Sequence, residues 1–241
     1  MTAGLLRSRS VVLTGLVLLA ATWTGSASTS TRIADLTPAQ NLTSLLTTHE
    51  AFSRPDSRSK SLGLVRAWRP ITEQRTVLPV VGRRTGPEGR QWLHVRLPGR
   101  PNGHTGWIRR RGTVASTTPW RIVVTTSGRR VSVYRLGRVV RVFGAVVGSP
   151  STPTPRGEFF VEETIKMPRG SVGGPYALAL SARSNVFQQF AGGPGQIALH
   201  GVWNVGGVLG TAASHGCVRL DTAAIRWLAA RISPGVPVTV R

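Results

Sequence analysis

The apolar runs of this sequence are short, and glycine or proline interrupts almost every one of them. The clearest example is residues 121–148, RIVVTTSGRRVSVYRLGRVVRVFGAVVG, where SG and LG turns separate three strand-like runs. Helices need a longer 3.6-residue periodicity, and the chain has 28 glycines and 16 prolines that interrupt it. The sequence therefore predicts a mainly β fold with many tight turns.

The first 27 residues have the composition of a secretory signal peptide. Arg7 and Arg9 precede the apolar run VVLTGLVLLAA at residues 11–21, and small residues follow, so Ala27 is the expected last residue before cleavage. The run is shorter than the roughly 20 apolar residues of a membrane span. An uncleaved N-terminal anchor is the alternative. Cleavage predicts a secreted, cell-wall-associated protein, and in either form the bulk of the protein is expected outside the cytoplasm.

Three regions follow the predicted signal peptide. Residues 28–59 are rich in serine and threonine and are interpreted as a polar linker. Residues 60–113 hold several short strand-like runs, and their segment WLHVRLPGRPNGHTGWI resembles the bacterial SH3-like module, which implies a small β-barrel. Residues 119–241 form a second β-rich block. Its one convincing helix starts after Asp221, a favourable N-cap residue.

Cys217 is the only cysteine of the chain, although exported proteins use cysteines mainly in disulfide pairs. His215 lies two residues before it, and His200 ends a strand-like run seventeen residues upstream. An imidazole can take the proton of a thiol and later return it to a leaving amine. We therefore expect an imidazole to keep this sulfur ionised at working pH. Gly216 permits a sharp turn, and the N–H groups of Gly216 and Cys217 are candidate oxyanion donors.

Two other interpretations of Cys217 are open on these residues. A lone cysteine among apolar neighbours is commonly a small buried hydrophobic residue. A metal site built from Cys217, His215 and His200 needs a fourth ligand or a bound water, and acidic residues are scarce in this part of the chain. The sequence therefore predicts neither a metal nor a cofactor.

Three segments of the second block resemble the signature of the L,D-transpeptidase catalytic domain, the YkuD family. They are TPRGEF at 154–159, IALHG at 197–201 and SHGCVRL at 214–220, and the resemblance extends over residues 119–241. It implies a β-sandwich-like fold with one short helix. It also implies an enzyme that cross-links peptidoglycan.

The resemblance assigns roles to individual residues. It implies that Cys217 is the nucleophile and that His200 is the base, oriented through the backbone carbonyl of Gly201. It also implies that His215 lines the site and that the backbone around Gly216 stabilises the oxyanion. These five residues are the expected catalytic set.

Three further residues are candidates for substrate binding: Ser214, Arg219 and Tyr176. Arg219 stands where the family often has asparagine, and its guanidinium can hold a carboxylate of the peptide stem bidentately. A solvated surface arginine is the alternative. Tyr176 is either a stacking residue near the substrate or, more simply, a half-buried strand residue.

The resemblance further implies a reaction that needs no cofactor. A cysteine thioester with one peptide stem is attacked by the amine of a second stem, which gives a 3→3 cross-link. Water as the acceptor makes the protein an L,D-carboxypeptidase instead, and a non-catalytic wall-binding protein is the second alternative. We expect a carbapenem to acylate Cys217. We also expect that deletion of residues 28–113 leaves this acylation intact.

The chain is strongly basic, with 31 Lys and Arg against 9 Asp and Glu and a net charge of +22. The charge is spread over both regions and does not form a tail. Besides peptidoglycan stems, the expected partners are therefore anionic cell-wall polymers, with a membrane only if the signal stays uncleaved. Nucleic acid is not expected, because the predicted export and the lack of a recognition motif argue against it.

Overall fold

The computed structural model of the protein describes residues 1–2, 39–189 and 193–241. The predicted signal peptide, residues 1–27, and the start of the predicted linker therefore lie outside the described residues almost entirely. From residue 39 onward the described chain belongs to one compact unit. Within this described part, no helix has the length and apolar character needed to cross a membrane.

The first seven strands form a nearly closed, barrel-like sheet, called here the N-terminal sheet. Its strand order is β3-β2-β6-β5-β4-β1-β7. The strands are β1 (Gln40–Leu45), β2 (His49–Phe52), β3 (Ser61–Val65), β4 (Val77–Thr85), β5 (Gln91–Arg96), β6 (Thr105–Arg109) and β7 (Thr113–Thr118). The SH3-like identity of this region stays a prediction.

The predicted boundaries of this region need a correction. The linker was expected to run to residue 59, yet β1 and β2 are both members of the N-terminal sheet. Strand β1 pairs with β4 on one side and with β7 on the other. It buries Leu42 and Leu45, which are separated by polar residues. The serine and threonine content of this segment therefore does not reveal β1 as a strand. Its stability comes from partner strands more than thirty residues away in the chain.

The remaining strands form the C-terminal sheet, with the order β10-β9-β8-β17-β12-β13-β14-β16, and a separate two-stranded pair, β11-β15. They are β8 (Trp120–Thr125), β9 (Arg130–Arg135), β10 (Arg138–Gly144), β11 (Val147–Gly148), β12 (Gly157–Lys166), β13 (Tyr176–Arg183), β14 (Gln196–Gly201), β15 (Ala212–Ser214), β16 (Val218–Leu220) and β17 (Pro237–Val240). The mainly β fold predicted from the sequence is confirmed.

One helix packs on the C-terminal sheet. Helix α1 (Thr222–Ala229) begins after Asp221, whose Oδ1 accepts a hydrogen bond from the N–H of Ala224 at 2.7 Å. The predicted N-cap is therefore confirmed. Ile225 and Leu228 of the helix join the buried core of this region.

Strand β12 contributes to two cores. Phe159 and Val161 pack in the core of the C-terminal sheet, whereas Phe160 is buried in the core of the N-terminal sheet. The pairing of β12 with β13 shifts register between Val161 and Glu163, as in a β-bulge. The extra residue, Glu162, allows two consecutive carboxylates to lie on the same side as Phe160.

Buried ion pairs complete this interface. Arg69 pairs with Glu162, and its Nε lies 3.6 Å from Oε1 of Glu163. Arg183 Nη1 lies 3.0 Å from Oε1 of Glu162. Oε2 of Glu163 also accepts hydrogen bonds from the N–H and the hydroxyl of Thr72, at 2.9 and 3.0 Å. Two carboxylates thus face two guanidinium groups, and the two sheets are held together by compensated buried charge.

Candidate active site

Strands β14 and β16 are parallel neighbours at the edge of the C-terminal sheet, and they carry two of the three signature segments. Their residues alternate between two faces. The core face carries Ile197, Leu199, Val218 and Leu220. His200 and Arg219 are directly paired across the two strands and point to the opposite face. Cys217 directly precedes β16, and its thiol is hydrogen-bonded to the backbone of Ala198 on this open face.

The ring of His200 is held in one orientation. Its Nδ1 lies 2.8 Å from the carbonyl oxygen of Gly201, the contact that the family resemblance implies. A carbonyl only accepts, so Nδ1 donates and Nε2 keeps its lone pair. Among the described residues Nε2 has no hydrogen-bond partner. Of the two ring nitrogens, Nε2 is therefore the one available for proton transfer.

Two glycines make room for this ring. Gly173 has φ +79°, and a Cβ there would lie 2.6 Å from Nδ1 of His200. A Cβ on Gly201 would lie 2.1 Å from the carbonyl oxygen of Gly174. The loop between β12 and β13 therefore approaches His200 so closely that only glycine fits at these contacts.

The electrostatics of the pair differ from the expectation of a resting thiolate. Burial raises the pKa of the Cys217 thiol, although the hydrogen bond with Ala198 and the charge of Arg219 oppose this shift. Burial lowers the pKa of His200, and the bond to Gly201 only partly offsets it. Both directions favour the uncharged forms. The neutral thiol and the neutral imidazole are therefore the forms that this environment favours.

The turn before Cys217 is tied by Ser214. The hydroxyl of this buried residue donates to the carbonyl oxygen of Cys217 at 2.5 Å and accepts the N–H of Gly216 at 3.1 Å. Ser214 therefore holds the turn and does not face a substrate, contrary to its predicted role. The Gly216 N–H is used inside the turn too, which leaves the Cys217 N–H as the candidate oxyanion donor.

Gly216 itself has a conformation that favours glycine. Its φ is +118°, and a Cβ there would lie 3.0 Å from Cδ1 of Ile197. The residues before the first signature segment reach the same turn, because Thr152 Oγ1 donates to the carbonyl oxygen of Ser214 at 3.0 Å. The residues directly before the first signature segment therefore pack against the turn that carries Cys217.

Arg219 is buried, so the interpretation as a solvated surface arginine is wrong. Its Nη1 donates to the carbonyl oxygens of Val205 and Gly206 at 3.2 and 3.1 Å. Its Nε is buried without a hydrogen-bond partner among the described residues. The guanidinium thus supplies a positive charge close to Cys217 and His200. Carboxylate binding by Arg219 stays a prediction.

The other two candidates lie in different environments. His215 is exposed at the site, and its ring meets that of Phe187 edge-on, with the centroids 6.0 Å apart. Tyr176 packs against the core of the C-terminal sheet. Because its neighbour Ala177 pairs with His200, Tyr176 lies on the opposite face of the sheet, which contradicts its predicted contact with a substrate.

The sequence interpretation missed two neighbours of the motif residues. The glycine pair 173–174 next to His200 left a visible signal, since two glycines before a proline are typical of a tight turn. Phe187 gave no such signal, because no neighbouring residue in the sequence distinguishes it from other aromatic residues in loops.

A cavity of about 280 Å³ lies beside the loop that holds His200, lined by residues that include Met167, Pro175, Trp203 and Arg226. Within the described residues, no group of three or more His, Cys, Asp or Glu side chains is placed to hold a metal ion.

The fold and this geometry define a mainly β protein with a cysteine–histidine site on the open face of a sheet. The family model of the YkuD L,D-transpeptidase catalytic domain matches residues 119–240. The chain therefore belongs to the YkuD L,D-transpeptidase family.

Two relatives carry the same family name, and solved structures show a weaker likeness. A Bacillus licheniformis protein named as the L,D-transpeptidase YkuD is 32% identical over 124 residues, which cover 52% of this chain and 67% of its own. A protein with the same name from Bacillus subtilis strain 168 is 28% identical over 124 residues, with the same coverage of both chains. An L,D-transpeptidase structure from Mycobacterium smegmatis is 17% identical, with a TM-score of 0.40, and covers 68% of this chain and 99% of its own. One from Mycobacterium tuberculosis H37Rv is 19% identical, with a TM-score of 0.42 and shares of 69% and 90%. With TM-scores this low, the family assignment rests on the sequence matches.

Proposed function

We propose that the protein forms 3→3 cross-links between peptidoglycan stems through a thioester on Cys217. One observation carries the proposal. Cys217 directly precedes β16, its thiol is hydrogen-bonded to the backbone of Ala198, two residues before His200 on β14, and the Nδ1 proton of His200 is held by Gly201. A nucleophile beside a base that is itself oriented by a third group is the recurring arrangement of covalent acyl transfer.

The first half-reaction forms the thioester. Sγ of Cys217 attacks the carbonyl carbon of the third stem residue while the S–H proton passes to Nε2 of His200. The bond from that carbonyl to the nitrogen of D-alanine then breaks, and His200 returns the proton to the leaving amine. The raised pKa of Cys217 and the lowered pKa of His200 support proton loss during attack and not before it.

The second half-reaction transfers the acyl group. The side-chain amine of a second stem attacks the thioester carbonyl, His200 takes a proton from that amine, and the proton passes to the departing sulfur. An amide bond forms as the thioester bond breaks, so the enzyme is restored. The N–H of Cys217 is the donor best placed to meet the developing oxyanion.

Incubation with a purified disaccharide-tetrapeptide tests the proposal. We expect mass spectrometry to show a dimer that has lost one D-alanine, and Cys217→Ala to lower its formation by at least about 10⁴-fold. Tripeptide without dimer would show an L,D-carboxypeptidase. Unchanged tetrapeptide together with unmodified protein after carbapenem treatment would favour a non-catalytic wall-binding protein.

The proposed substrate lies outside the cytoplasm, so we also propose that the protein is exported. The support comes from the sequence of residues 1–27 alone. Mass measurement of the protein recovered from the cell exterior tests this, with a mature chain that starts at Ser28 as the expected result.

A further inference from the structure

We infer that the turn between β5 and β6 of the N-terminal sheet is a wall of the active site, and that Arg100 in this turn is a positioning residue that acts through Phe187 on His215. The inference rests on the proposed function of Cys217, and it adds a part of the chain that the catalytic-domain family model does not include.

Arg100 binds both ends of the loop that joins β13 to β14. One of its terminal nitrogens, Nη2, donates to the carbonyl oxygens of Ser184 and Phe187 at 2.8 and 3.0 Å. The other, Nη1, donates to the carbonyl oxygen of Pro194 at 3.1 Å. A planar guanidinium presents several donors in a fixed fork, so this single side chain sets the separation of three loop carbonyls.

Asn102 fixes the last residue of β13, directly before the same loop begins. Its Nδ2 donates to the carbonyl oxygen of Arg183 at 2.7 Å, and its Oδ1 accepts the N–H of Arg183 at 2.8 Å. This amide pairs with the backbone of Arg183 as a neighbouring strand would. The side chain of Asn102 therefore extends the backbone pairing of β13 to its last residue, where the loop begins.

The loop is also shaped to bring Phe187 within reach of Arg100. The hydroxyl of Ser184 accepts the N–H groups of Val186 and Phe187 at 3.2 and 3.0 Å. Gly195 has φ +64°, and a Cβ there would lie 2.1 Å from the carbonyl oxygen of Phe187. The same Cβ would lie 3.4 Å from Nη2 of Arg100. Only glycine allows this carbonyl to sit where the guanidinium binds it.

The ring of Phe187 then meets the motif histidine. The centroids of Phe187 and His215 are 6.0 Å apart at an interplanar angle of 68°, an edge-on contact between aromatic rings. His215 is two residues before Cys217. A continuous series of direct contacts thus runs from Arg100 through the loop to the turn that carries the sulfur.

The topology explains how the N-terminal sheet reaches the site. Phe160 and Glu163 contact the N-terminal sheet from the side of the C-terminal sheet that faces away from its core. His200 points to this same side, two strands further along the sheet. The N-terminal sheet and His200 therefore share one face, and the β5–β6 turn bonds to β13 through Gly99 and to the loop after β13 through Arg100.

The first test measures Cys217 acylation by a carbapenem in the full chain. We expect Arg100→Ala to lower the second-order acylation rate about tenfold, because loss of positioning slows reactions of a correctly placed nucleophile. Alkylation by iodoacetamide, which needs no such placement, is expected to stay within about twofold. The matched control is Arg84→Ala, an exposed arginine of the same sheet, with acylation like the wild type.

A double-mutant cycle identifies the route. If Arg100 acts through Phe187, Phe187→Ala lowers acylation and Arg100→Ala adds no further loss in that background. Losses that multiply, or an Arg100→Ala protein that acylates like the wild type, would overturn the inference. Arg100→Lys is expected to recover only part of the rate, since one ammonium cannot hold three carbonyls in a fixed fork.

A spectroscopic readout separates this inference from the proposed function. The ring protons of His215, assigned with His215→Ala, are expected to shift in Arg100→Ala and not in Arg84→Ala, because the Phe187 ring moves. This shift does not depend on catalysis. An unchanged His215 signal overturns the inference, whereas a wild-type protein that cannot be acylated overturns the proposed function alone.

Discussion

Two histidines, the buried His49 of the N-terminal sheet and the half-buried His200 of the C-terminal sheet, show how different the two halves of this molecule are. His49 in the N-terminal sheet has Nδ1 3.0 Å from the carbonyl oxygen of Thr47 and Nε2 3.1 Å from those of Arg109 and Arg111. His200 in the C-terminal sheet has only Nδ1 engaged, by Gly201. Burial lowers the pKa of both residues.

The comparison shows that burial and a shifted pKa do not by themselves identify a catalytic histidine. Both ring nitrogens of His49 face backbone carbonyls, and the nitrogen that carries the proton donates to them, so this side chain joins distant segments of the N-terminal sheet. His200 keeps one nitrogen available on a face shared with a thiol. Cavity size alone would favour His49 as the functional histidine. The cavity beside His49 has a volume of about 500 Å³, whereas the one beside the loop that holds His200 has about 280 Å³.

The largest expected effect comes from exchanging the two histidines for alanine. His200→Ala should lower Cys217 acylation by about 10²–10⁴-fold, the usual contribution of a general base. His49→Ala should leave acylation unchanged and lower the free energy of unfolding by about 1–3 kcal/mol, as carbonyl partners become unsatisfied. His215→Ala should slow acylation less than His200→Ala does. Equal rates for the two C-terminal variants would move the base to His215.

The contact between the sheets predicts a large effect on stability. Arg69→Ala leaves the carboxylates of Glu162 and Glu163 undercompensated, so we expect the free energy of unfolding to fall by about 3–5 kcal/mol in denaturant titrations. Arg66→Ala, three residues earlier and exposed, should change it by no more than about 0.5 kcal/mol. A similar small change for both would mean that the buried charges do not hold the sheets together.

Two glycines with positive φ allow a finer comparison. Gly216 lies against Ile197, whereas Gly63 in the N-terminal sheet, with φ +99°, has open space where a Cβ would stand. Each change to alanine should cost about 1–3 kcal/mol of stability from backbone strain. Only Gly216→Ala should also slow acylation, because the turn before Cys217 shifts. Slower acylation in Gly63→Ala would argue against this local explanation.

The smallest effect concerns pH. Since the pKa of Cys217 is raised and that of His200 is lowered, the neutral pair persists across the neutral range. Acylation should therefore vary by no more than about twofold between pH 7 and 8, and fall only in acid as His200 is protonated. Iodoacetamide alkylation of Cys217 should have its midpoint above that of free cysteine. A midpoint below it would indicate a resting thiolate after all.

The sequence predicted the parts of this structure that depend on local residues. Turn glycines marked the strands, Asp221 marked the start of α1, and the spacing of His200 and Cys217 marked the site. The sequence could not predict burial, which decides whether Cys217 is ionised at rest and whether Arg219 meets solvent. It also could not assign the face of Tyr176, because that depends on the register of β13 against β14.

The largest error of the sequence interpretation concerned how the N-terminal and C-terminal regions are connected. The segment at 28–59 is low in apolar residues, so β1 and β2 were interpreted as linker, although their partners lie far away in the chain. Deletion of residues 28–113 was expected to leave acylation intact. Because this deletion would expose Phe160 and the carboxylates of Glu162 and Glu163, we now expect it to prevent folding of the remainder.

The bulge in β12 limits how such proteins can be recombined. Because of one inserted residue, β12 belongs to the cores and contacts of both halves. A chimera joined at residue 118 would therefore keep Glu162 and Glu163 but lose Arg69, which pairs with them. A graft that carries Phe160, Glu162 and Glu163 together with Arg69 should assemble, whereas exchange of either half alone should yield insoluble protein.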